Sequence, residues 1–186
     1  MPTTSTITLT TSSGTSTHVI SLTSGITAGF FWCTLAGFVF YIVAFSTVGW
    51  YTDTQKGGSQ HIGLWQSCTC GTHSAFDSGW FHATRAMMVI ALIGFCLVVI
   101  LCFIYMFLHS ISKNLVIYAF TGLSFASVLF MLIGIIVFGS KIGDGYRGNV
   151  SYSFVFAIFS MMLCFAAGVL SCMQIWRSGS VTVTSG

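Results

Sequence analysis

Four long apolar runs, at about residues 28–50, 84–108, 115–139 and 153–176, alternate along this chain with short polar stretches. Crossing a bilayer takes about 20 predominantly apolar residues per helix, so each run predicts one membrane span. None shows the strict alternation of a barrel strand, and only helices or closed barrels satisfy their backbone inside lipid. The fold class predicted is therefore an all-α transmembrane four-helix bundle. The six residues from His109 to Asn114 turn the chain tightly between the second and third spans, which makes those two antiparallel neighbours. Gly122 and Ala126 in the third span are spaced to let another helix backbone approach.

Between the spans lie two loops on one side of the membrane, residues 51–83 and 140–152. The stretch from Trp50 to Arg85 gathers three of the five tryptophans, three of the five histidines and two of the three acids, so recognition chemistry concentrates there. Residues 1–27 are rich in Ser and Thr and carry no charge. They lack the basic start and apolar core of a signal peptide, so a flexible tail is expected. The organisation read from the pattern is this tail, one membrane domain over 28–177, and a short tail over 178–186.

Composition agrees with the pattern. The 186 residues are 55% hydrophobic and only 5% charged, against about 25% charged in an ordinary soluble domain. A net charge of +3 without any basic run excludes nucleic acid as a partner and leaves the lipid bilayer as the environment. Five cysteines, Cys33, Cys96, Cys102, Cys164 and Cys172, fall in apolar runs, where a thiol behaves as a small hydrophobe. Only Cys68 and Cys70 lie in a polar loop. No G-x-S-x-G, H-E-x-x-H or phosphate-binding loop occurs and the spans hold no Asp or Glu, so neither catalysis nor ion-coupled transport has its usual residues, and no cofactor is expected. His82 and Asp77 lack a nucleophile to complete a catalytic set. His61, Cys68, Cys70 and His73 are metal-ligand types, but the spacing C-x-C-x2-H does not match the usual zinc spacings, so no metal site is assigned.

Arg85 stands at the start of the second span, where a guanidinium needs a partner. Two accounts are open: its head snorkels to the interface, or it clamps loop carbonyls or Asp77 and anchors the loop to the bundle. Orientation signals conflict. Lys113 and Arg177 lie on the side of the tails against Lys56, Arg85, Lys141 and Arg147 on the loop side, which by charge alone would put the loops in the cytoplasm. Asn149-Val150-Ser151 is an N-glycosylation sequon usable only outside the cell, and it favours the opposite orientation.

Trp50, then Gly63-Leu64-Trp65, then Cys68, ahead of Ala83-Thr84-Arg85-Ala86, resembles the claudin superfamily of tetraspan proteins. The pattern G-L-W-Q-S-C, the short first loop and Tyr152-Ser153-Phe154 opening the last span are similar to the branch of peripheral myelin protein, the epithelial membrane proteins and the lens fibre membrane protein. The resemblance covers roughly residues 28–177. It implies cytoplasmic termini at the plasma membrane and a left-handed four-helix bundle. It also implies a small extracellular antiparallel β-sheet, formed mainly by the first loop and wedged onto the helices by Trp50, Leu64 and Trp65. The family's two cysteines staple adjacent strands. Here Cys68 and Cys70 are separated by one residue, so the candidate disulfide is a Cys68–Cys70 bridge within the chain, with a bridge between molecules as the alternative.

The function this resemblance implies is non-enzymatic. It is cell–cell contact, junction formation or membrane organisation, through loop contacts and homo- or hetero-oligomeric packing with other membrane proteins. The alternatives are an auxiliary subunit modulating an ion channel, as in the calcium-channel gamma branch, and a paracellular barrier or pore. The last residues, Val183-Thr184-Ser185-Gly186, lack the apolar end by which claudins engage PDZ scaffolds, so that partner is not expected.

Overall fold

A computed structural model describes residues 16–53, 60–65, 67–68, 79–107, 113–143 and 148–182. Its four helices are α1 (Ser16–Ser46), α2 (Gly79–Phe107), α3 (Lys113–Gly143) and α4 (Tyr152–Thr182). Each contains a stretch long and apolar enough to cross a membrane. At 31 residues, α3 is about 46 Å long, more than the ~30 Å hydrocarbon core. Helix α1 begins at Ser16, well before the expected span. Extending a helix already nucleated in the membrane costs little, and no proline interrupts this stretch. Residues 1–15 of the expected N-terminal tail and 183–186 of the C-terminal one lie outside the described residues. At its other end α1 stops at Ser46, so Trp50 lies beyond the span rather than closing it. Thr47 Oγ1 donates to the carbonyl of Val43 at 2.7 Å, satisfying one of the last helix carbonyls.

The helices form two close antiparallel pairs, α1 with α4 and α2 with α3. Small residues make both pairs. In the first, Ser160 Oγ donates to the carbonyl of Gly37 at 2.8 Å, and a Cβ at Gly37 would stand 3.2 Å from the Cβ of Leu163. In the second, a Cβ at Gly94 would stand 2.5 Å from Ser127 Oγ. Without a hydrophobic drive between helices in lipid, such backbone approach is what packs them. Gly122, read from its spacing as a point of close approach, instead faces outward with nothing within 4 Å of an added Cβ. Half a helical turn separates it from the buried face carrying Ser124 and Ser127.

The seams between the pairs differ. α3 and α4 meet through Thr121 and Ser171, whose hydroxyls lie 2.8 Å apart, and through Cys164 Sγ, 3.8 Å from the carbonyl of Ser124. α1 and α2 have the least backbone contact of the four seams. Rings fill the space there: Phe30 against Tyr105 at 5.5 Å, Phe31 against Phe103 at 5.9 Å and Phe38 against Phe95 at 5.6 Å.

One end of the bundle carries an antiparallel sheet of β1 (Tyr51–Asp53), β2 (Gln60–Ile62), β3 (Ser67–Cys68) and β4 (Gly148–Val150), in the order β3-β2-β1-β4. The first loop supplies three strands and the second loop adds the fourth beside β1. Alternation separates two faces. Tyr51 and Ile62, which pair across β1 and β2, are buried against the bundle. Thr52 and His61 pair on the opposite face, with Oγ1 and Nδ1 3.1 Å apart. The fold is thus a four-helix membrane bundle with a small sheet at one end.

Candidate functional site

The sheet sits on an aromatic floor. Trp50 is fully buried, and its indole Nε1 donates to the carbonyl of Ala44 at 2.7 Å. That carbonyl lies in the last turn of α1, where helix carbonyls lack intrahelical donors, so the indole fills a vacancy the helix end creates. The Trp50 ring meets Phe138 of α3 edge-on at 5.1 Å and Phe154 of α4 at 6.0 Å, while Phe138 and Phe154 stack at 5.8 Å. Trp80 of α2 adds a contact to Phe138 at 6.2 Å and is half-buried. One tryptophan just after α1 therefore touches the ends of both α3 and α4.

The G-L-W segment divides its labour. Gly63 and Leu64 are buried, whereas Trp65 stays 45% exposed. Trp65 rests on Phe45 of α1 at 5.2 Å. Arg85 of α2 joins the same place: its Nε donates to the Leu64 carbonyl at 2.6 Å. Its guanidinium carbon lies 4.5 Å from the Phe81 ring centre and 5.6 Å from that of Trp65. A planar cation over aromatic faces, bonded to a carbonyl, is well placed to hold a charge at the membrane boundary. Of the two partners considered for Arg85, the structure describes the loop carbonyl, and Asp77 lies outside the described residues.

Ser153 is a contributor that spacing alone does not single out. Its Oγ lies 2.6 Å from Thr47 Oγ1 and accepts from the Gly49 backbone N–H at 3.1 Å. Its own N–H donates to the Gly49 carbonyl at 2.9 Å, and the Ser151 N–H donates to the Trp50 carbonyl at 3.2 Å. These two backbone bonds tie the start of α4 to the segment after α1. The only sequence signal of Ser153 is its place in Tyr152-Ser153-Phe154 at the head of the last span.

The remaining sequence candidates are spread out. Cys68 lies in β3 opposite His61, and Asn149 lies in β4 opposite Thr52. Cys70 and His73 lie outside the described residues, and with them the Cys68–Cys70 bridge. Among the described residues no three His, Cys, Asp or Glu side chains gather as a metal would need. His82 is exposed. What the arrangement does chemically is mechanical: it fastens a sheet to the ends of all four helices.

Four apolar helices capped at one end by a sheet on an aromatic floor define a multi-pass membrane protein of the tetraspan type. The PMP-22/EMP/MP20/Claudin family matches residues 23–171, and the chain belongs to that family, one of non-enzymatic membrane proteins. A comparison with curated proteins found no match.

Proposed function

We propose that this protein acts without catalysis in cell–cell contact, junction formation or membrane organisation, with the sheet outside the cell and both termini in the cytoplasm of a plasma-membrane protein. The observation that carries this reading is the fastening of the sheet to the bundle through Trp50, Leu64 and Ser153, all fully buried, and through Arg85. A surface that must hold its shape against a neighbour needs such a base. The far face of the sheet carries Thr52 and His61, both partly exposed. The bundle's sides present apolar side chains such as Ile93, Leu129 and Phe159 for lateral contact with lipid or other membrane proteins.

Mixing expressing and non-expressing cells tests the reading. Enrichment of the protein only where two expressing cells touch, lost when the sheet end is altered, supports it. Uniform surface distribution together with stoichiometric copurification of an ion channel would replace it with the auxiliary-subunit role. Tags on the termini, probed in intact and permeabilised cells, test the orientation.

A further inference from the structure

The α1–α2 seam is fastened very differently at its two ends. At the sheet end, Tyr41 Oη donates to the Met88 carbonyl at 2.7 Å, and Trp65 rests on Phe45 of α1 while lying under Arg85 of α2. The sheet also straddles this end, since Trp50 bonds to α1 and the Leu64 carbonyl to α2. At the far end, a hydrogen bond between the two helix pairs runs from Gln174 Nε2 of α4 to Tyr105 Oη of α2 at 3.1 Å. The same Nε2 is 3.0 Å from Thr27 Oγ1 of α1, which holds Gln174 within its own pair.

Toward the far end the seam consists mostly of rings, Phe30 on Tyr105 and Phe31 on Phe103, with the Cys102 thiol against Thr34 beside them. In lipid such contacts are readily exchanged for contacts with acyl chains, because lipid tails are as apolar as the rings they would replace. The small-residue contacts within each pair have no such substitute, since no acyl chain fits where two backbones meet. Separation between the pairs on this side therefore costs least.

We propose that the α1–α2 seam is a lateral gate hinged at its sheet end. When the Tyr105–Gln174 bond breaks, the α1–α4 and α2–α3 pairs swing apart at the far end and lipid acyl chains enter between Phe30, Phe31 and Phe103. The gate is independent of the contact role proposed above, because it concerns the opposite end of the bundle.

The chain carries its own reporters. Cys102 of α2 is fully buried one turn from Tyr105 and contacts Thr34 of α1, so opening the seam uncovers it. Cys164 is equally buried but lies at the α3–α4 seam beside Ser124. The full chain in lipid nanodiscs, kept reduced, is exposed to a small lipophilic maleimide and the two thiols are followed by peptide mass spectrometry. Cys102 is expected to react faster than Cys164. Tyr105→Phe should raise the Cys102 rate alone, on the order of threefold to tenfold, as loss of one interhelical hydrogen bond predicts. Gln174→Leu should repeat the effect if the first variant folds poorly. Equal rates at the two thiols, no change at Cys102 in a folded variant, or a rise at both thiols together would each overturn the gate.

Discussion

Arg85 and Leu64, 21 positions apart, are joined by a 2.6 Å hydrogen bond from a side-chain Nε of the second span to a backbone carbonyl of the first loop. A carbonyl acceptor makes the bond insensitive to the side chain at position 64 but dependent on the shape of the donor. Arg85→Ala should lower stability by about 2–3 kcal/mol, the range of a hydrogen bond to a charged group together with a cation–π contact. Arg85→Lys should recover only part of this, since an ammonium keeps the charge but not the planar donor. Thermal unfolding in detergent would show the order wild type, Lys, Ala; a Lys variant no better than Ala would remove the charge from the explanation.

Trp50 and Trp65 should not respond alike. Trp50→Ala empties a fully buried site and should cost about 3–5 kcal/mol. Trp65→Ala removes a ring that is 45% exposed and should cost less, while still loosening the sheet at Phe45 and Arg85. Trp50→Phe isolates the bond to Ala44, at about 1 kcal/mol for the bond itself. Surface delivery measured beside melting temperature would rank the three, and equal loss at positions 50 and 65 would contradict the burial difference.

Gly94 and Gly122 form a second contrast. A side chain at 94 runs into Ser127, so Gly94→Val should cost about 1–3 kcal/mol by overpacking α2 against α3. Ser127→Ala in the same chain should recover part of it. Gly122→Ala meets open space and should change stability by less than about 0.5 kcal/mol. Melting of the four proteins in one detergent decides the matter.

The sequon at Asn149 offers a test of orientation. If the sheet lies outside the cell and the site is used, Asn149→Gln and glycosidase treatment should each raise the protein's gel mobility by one glycan's worth. Any shift at all requires residue 149 to have entered the secretory lumen. Tagged termini that remain protected in intact cells should accompany it.

Much of this architecture is written locally. Four spans follow from uninterrupted apolar runs, because a membrane helix satisfies its own backbone and needs no distant partner. The order of Trp50 and Gly63-Leu64-Trp65 ahead of the second span was legible as the pattern on which the family resemblance rests. Their unequal burial was not, since Leu64 and Trp65 are adjacent apolar residues that only the packing of Phe45 and Arg85 tells apart.

By itself the sequence determined the number of helices, their approximate limits, the family and the loop where polar chemistry gathers. Only the tertiary structure decided that α1 pairs with α4, that the second loop contributes β4, that Gly94 rather than Gly122 admits a neighbouring helix, and which of two accounts of Arg85 has a bonded partner in the fold. The physical reason is distance along the chain. Hydropathy and helix period report on residues within a few turns, whereas these contacts join residues 21 to 147 positions apart and depend on which faces the bundle brings together.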